Sequence, residues 1–117
     1  MAKVIKLEEA EPVDLSGQPG VVGVTKRLLI GPGDGAPTFA VRLFSLSPGG
    51  HTPRHAHPFE HGVVVLSGRG EVLTQDGPRP LTPGTCVYIP PGEEHQFRNT
   101  GEEELSFLCV VPRHVEE

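Results

Sequence analysis

Glycine and proline set the outer limit on what this chain can become. Its 117 residues include 15 glycines and 13 prolines, together about a quarter of the sequence. They fall without period between short apolar runs, so no stretch keeps helical periodicity over eleven or more residues. The runs they separate are Val4 to Leu7, Gly20 to Ile30, Thr38 to Ser47, His61 to Leu66, Glu71 to Thr74, Thr85 to Ile89, His95 to Asn99 and Leu105 to Val111. Each is rich enough in β-branched and apolar residues to read as a strand. The punctuation between them includes Gly31-Pro32-Gly33-Asp34-Gly35, Pro48-Gly49-Gly50, Ser67-Gly68-Arg69-Gly70, Gln75-Asp76-Gly77-Pro78 and Pro90-Pro91-Gly92. Short strands at this spacing predict an all-β sandwich or small barrel. His61 to Leu66 and Glu71 to Thr74 have the outline of a hairpin.

The length predicts a single domain over residues 1–117 with one core, carried by residues 38–112. Residues 1–14 then form an N-terminal strand and acidic arm, suited to pairing with a neighbouring subunit. A net charge of -5 argues against non-specific binding to nucleic acid or to an anionic membrane. The apolar stretches are too short to span a bilayer, and the expected location is the cytoplasm. Cys86 and Cys109 stand alone in apolar runs, which predicts two buried thiols and no disulfide framework.

Against that scaffold one segment carries chemistry. His55-Ala56-His57-Pro58-Phe59-Glu60-His61 places three of the six histidines within seven residues. Alternation along an extended chain puts His55 and His57 on one face, and a turn at Pro58 can bring His61 back beside them. Neutral imidazole is the commonest protein ligand for first-row transition metals, so the cluster reads as a metal site. A solvated, histidine-rich loop is the alternative, and Glu60 is a rival ligand to His61.

The spacing around the cluster is specific. Gly49 is followed by five residues, His55-x-His57, three residues, His61, six residues and Gly68. After a gap of fifteen residues, Gly84 is followed by five residues, Pro90-x-Gly92, two residues, His95, three residues and Asn99. These two stretches resemble the paired signature motifs of the cupin superfamily, with His61 where the commoner pattern has glutamate. The resemblance implies a double-stranded β-helix, or jelly-roll β-barrel. It also implies that His55, His57, His61 and His95 are ligands to one divalent ion per chain, manganese or iron first, with zinc, nickel or copper as alternatives. With no carboxylate among the ligands, the ion would keep its full charge. Asn99 is expected to cap a turn.

The implied function is that of a metal-binding small cupin, a dioxygenase, decarboxylase or isomerase acting on a small oxygen-rich molecule. A non-catalytic small-molecule or metal-sensing module is the alternative. Tyr88 and His51 are the candidate acid or base groups. Arg42, Phe59, Val63 and Phe97 are the candidate substrate contacts, the arginine because a guanidinium grips carboxylates. Many small cupins are homodimers, and the detached Val4 to Leu7 strand suits an exchanged arm.

Overall fold

The computed structural model describes residues 1–117 as an all-β structure without an α-helix. Nine strands form it: β1 (Pro12–Asp14), β2 (Val22–Ile30), β3 (Phe39–His51), β4 (His61–Ser67), β5 (Gly70–Thr74), β6 (Gly77–Leu81), β7 (Cys86–Ile89), β8 (Gln96–Asn99) and β9 (Leu105–Pro112). All pairings are antiparallel and the sheet runs β6-β5-β8-β3-β9-β4-β7, with β2 and then β1 added on the free side of β3. The sheet curls on itself into the jelly roll.

The long strand β3 makes the curl. Its first part pairs with β2 on one side and β9 on the other, while its last residue, His51, pairs with Arg98 of β8. Between them the register with β2 shifts, from Val24↔Leu46 to Val22↔His51. Such a bulge bends the strand and raises its twist. Pro48-Gly49-Gly50 therefore does not close the strand, as its composition suggests, but carries it around the corner. A Cβ on Gly50 would stand 2.8 Å from the carbonyl oxygens of Ser47 and Val22, so only glycine fits the bend.

Three other sequence expectations change. Val4 to Leu7 forms no strand: the N-terminal strand is Pro12–Asp14, within the acidic segment, and a 3₁₀ turn covers Leu7–Glu9. The apparent hairpin of β4 and β5 does not form, because β4 pairs with β7 and β9 while β5 pairs with β6 and β8. Gly68 is the crossing point; its φ is +83° and a Cβ would run into the Glu104 carbonyl. The real hairpin is β5–β6 across Gln75-Asp76, with Pro78 and Pro80 on an edge strand, the place in a sheet that tolerates prolines. Lastly, Cys86 is exposed whereas Cys109 is buried.

Alternation then fixes what faces inward. Val63 and Val65 on β4, Phe97 on β8, and Leu105, Phe107, Cys109 and Val111 on β9 are all buried and join Val24, Leu46, Leu81 and Ile89 in one core. Asn99 closes the far end of this core as a staple. Its Nδ2 donates to the carbonyls of Leu46 (2.9 Å) and Glu103 (2.8 Å), and its Oδ1 accepts from the Gly101 amide (2.9 Å). Asn99→Ala leaves those groups unpartnered next to the core and is expected to destabilise the fold by about 2–3 kcal/mol. A urea titration checks this as a lowered midpoint with unchanged slope.

Candidate metal centre and cavity

The histidine-rich segment is extended but not a regular strand. It is held by backbone bonds to the chain around β8. The His55 amide donates to the His95 carbonyl (3.1 Å) and the His95 amide returns a bond to the His55 carbonyl (2.9 Å). The Gly92 amide donates to His57 (2.7 Å), and Thr52 donates through its amide to the Phe97 carbonyl (2.9 Å). A bend at Pro58-Phe59 then delivers His61 to the start of β4.

The four histidines meet at one place. Ring centroids lie 4.0 Å apart for His55 and His57, 5.0 Å for His55 and His95, 4.7 Å for His61 and His95, and 5.5 Å for His57 and His61. Ligand nitrogens of His55, His57 and His95 all fall within 4.8 Å of one another. His61 stands just behind this trio. Glu60 is exposed and turned away, its carboxylate accepting from the Tyr88 hydroxyl at 2.9 Å.

Hydrogen bonds on the far side of two rings fix which nitrogen faces the centre. His95 donates from Nδ1 to the Glu93 carbonyl (2.9 Å), which leaves the Nε2 lone pair free. Nδ1 of His61 contacts the Cys109 thiol at 3.5 Å, and Nε2 of His61 is buried with no partner at all. A buried polar atom without a partner is rare and calls for an explanation. Nε2 of His55 and of His57 are 3.1 Å apart, a separation that neighbouring ligand atoms adopt around an ion bound at about 2.1 Å. The donor set and the orphaned His61 nitrogen fit a divalent ion held by imidazoles.

The histidines form part of the lining of a cavity of about 240 Å³. Phe59, Phe97, Phe44 and Phe107 supply aromatic wall, and Arg42 reaches the same space. Phe59 stacks on His57 with ring centroids 4.5 Å apart, and Phe97 stands edge-on to His95 at 6.1 Å. The remaining candidates lie elsewhere. Tyr88 is 61% exposed on the outer face of β7, Val63 packs in the core, and His51 faces Gln96 and the Thr52 carbonyl outside the cavity. Lys26, Cys109 and Glu116 also line the cavity. Strand parity could have found the first two, since Lys26 alternates with Val24 and Cys109 with Phe107; nothing in the sequence pointed to Glu116.

Burial favours the neutral forms of His55, His57 and His61. It pushes His61 down to about 3, helped by the charges of His95, His57 and Arg42, and pushes His55 down to about 4, helped by His57 and His95. His57 is lowered by burial first and then by His95 and Arg42. In the unfolded chain the same groups titrate near 6.5. Between pH 6.5 and about 3 the unfolded state therefore binds more protons, and stability falls as pH drops through that window. Urea midpoints of the chelator-treated protein are expected to decline steadily across it, and His61→Asn to show a shallower decline.

A family model described as a cupin domain matches residues 42–111. The 1-methylthio-D-xylulose 5-phosphate methylsulfurylase of Rhodospirillum rubrum is 39% identical over 88 residues, 75% of this chain and 55% of that protein. The chain thus spans little more than half the length of that relative. Protein SchB of Streptomyces halstedii is 32% identical over 108 residues, 92% of this chain and 75% of that one. The polyketide cyclase RemF of Streptomyces resistomycificus superimposes with a TM-score of 0.88 at 33% identity, covering 96% of this chain and 80% of that structure.

Proposed function

Since the chain belongs to the cupin domain family, we propose that it is a metal-dependent enzyme acting on a small, oxygen-bearing organic molecule bound in the histidine-lined cavity. The observation that carries this reading is the convergence of His55, His57 and His95 beside a buried, unpartnered Nε2 of His61. Relatives named as a methylsulfurylase and a polyketide cyclase support an enzyme over a purely structural role.

In this reading one divalent first-row ion per chain is held by the four imidazoles. Bound there, it would supply Lewis-acid polarisation of a substrate oxygen, the chemistry that isomerase and decarboxylase types call for. The protein's own groups do the rest. The Glu93 carbonyl and the Cys109 sulfur orient the His95 and His61 rings, and such outer partners set ligand geometry and basicity. Burial pushes the Cys109 thiol upward, so it stays protonated and acts as an orienting group. Phe59 and Phe97 wall the site with apolar surface, which limits water and favours a substrate that is itself partly apolar.

Full-length untagged protein reconstituted in turn with manganese, iron, nickel and zinc is expected to retain one ion per chain by elemental analysis. Sub-stoichiometric metal in every case would sink the proposal. His57→Ala and His61→Ala are each expected to weaken retention, His57→Ala the more, while Glu60→Gln keeps the ion. A Glu60→Gln variant that lost metal while His61→Ala kept it would reverse the ligand assignment.

A further inference from the structure

Two cations point into the same cavity. Lys26 alternates inward with Val24 on β2, and Arg42 alternates inward with Ala40 on β3; their side chains are 21% and 11% exposed. Both positions belong to the barrel itself. Their counter-charge does not: it is Glu116, from the 3₁₀ turn Arg113–Glu116 that follows β9. Nζ of Lys26 lies 2.9 Å from Oε1 and 3.0 Å from Oε2 of Glu116, and a terminal nitrogen of Arg42 lies 3.0 Å from Oε2. The carboxylate is thus shared between buried Arg42 and partly buried Lys26. Nε of Arg42 remains buried without a partner.

The cation pair is one side chain away from the histidines. The second terminal nitrogen of Arg42 donates to the Cys109 sulfur at 3.2 Å, and that sulfur touches Nδ1 of His61 at 3.5 Å. A run of rings also links the two groups along the cavity wall: Arg42 lies over Phe44, Phe44 stacks on Phe107, Phe107 on Phe97, and Phe97 stands edge-on to His95. A molecule with a carboxylate at one end, an apolar body and an oxygen at the other end matches this order of surfaces. Exchanging one carboxylate for another on Lys26 and Arg42 leaves no buried charge unpaired, which is the costly outcome.

We propose that Lys26 and Arg42 form a carboxylate subsite of the cavity, that its ligand is a small, largely apolar carboxylic acid, and that Glu116 fills the subsite until the ligand's carboxylate displaces it. This deepens the function proposed above and rests on it only in taking the cavity as the ligand site. A carboxylate is preferred to a phosphate because the group already seated there is a carboxylate, both of whose oxygens meet Lys26 while Oε2 also meets Arg42.

The test is calorimetric titration of the full-length protein with benzoate, benzamide and phenyl phosphate, both as purified and after metal reconstitution, with elemental analysis alongside. Glu116→Gln removes the internal competitor and is expected to tighten benzoate at least about tenfold, since it leaves buried Arg42 and partly buried Lys26 uncompensated. Adding Arg42→Met to that variant should abolish the gain, and benzamide should gain nothing. Benzoate no tighter in Glu116→Gln than in the unmodified chain, an equal gain by benzamide, or a larger gain by phenyl phosphate overturns the proposal. Should these variants fail to fold, the unmodified chain decides. Benzoate, and not benzamide, is expected to shift the backbone amide signals of Val115 and Glu116 in nuclear magnetic resonance spectra, and unmoved signals overturn the proposal. Benzoate selectivity without stoichiometric metal removes the metal reading alone; full metal without the benzoate gain removes the subsite alone.

Discussion

The two backbone hydrogen bonds exchanged by His55 and His95 are the tie on which the rest of the site depends. They join segments forty residues apart in the chain and set two candidate ligand side chains at one level. Because the bonds run through the main chain, the histidine side chains are free to face the cavity. The tie continues the pairing of β3 with β8 at His51 and Arg98 beyond the ends of both strands, so the spacing of the imidazoles follows from the way the sheet curls. A site built this way is as rigid as the sheet that carries it, and rigid placement of ligands is what a metal centre requires.

Much of this was legible from residue order. The punctuation by glycine and proline located most of the strands, because turns that need those residues leave little freedom in where strands begin. The resemblance of the two spaced motifs to the cupin signatures implied that His95 joins His55 and His57, and parity placed Phe97 beside His95. What could not be read was pairing. Ser67-Gly68-Arg69-Gly70 has hairpin composition, yet the chain there crosses between the two halves of the curled sheet; glycine serves both purposes, and only long-range partners distinguish them. Pro48-Gly49-Gly50 misleads for the same reason, being a bulge and not a turn. Tyr88 lies in a strand of four residues, too short and too evenly apolar for its sequence to reveal which face points out. Glu116 meets Lys26 across ninety positions, a distance at which sequence patterning carries no information.

The electrostatics of the interior divide into two halves with opposite solutions to the same problem. At the histidines, desolvation removes charge by keeping the rings unprotonated. At Lys26 and Arg42, charge is kept and matched by a carboxylate brought in from outside the barrel. Cys109 stands between them, touching both, and its neutral thiol avoids setting a second anion against Glu116. Neutral imidazoles can each offer one lone pair to a cation, while a matched ion pair can exchange its anion; the two halves are therefore suited to different ends of one molecule.

The prolines of β6 have a meaning beyond local geometry. A sheet that does not close completely must leave edges, and an edge strand with a full row of amide donors can recruit a strand from another molecule. Two of the five residues of β6, Pro78 and Pro80, have no donor to offer, and Arg79 between them adds a charge. This edge is thereby protected against runaway strand addition, so growth into fibrils would have to begin elsewhere on the molecule. The residues that look least suited to a β-strand are the ones that let this strand remain at an edge without becoming a template.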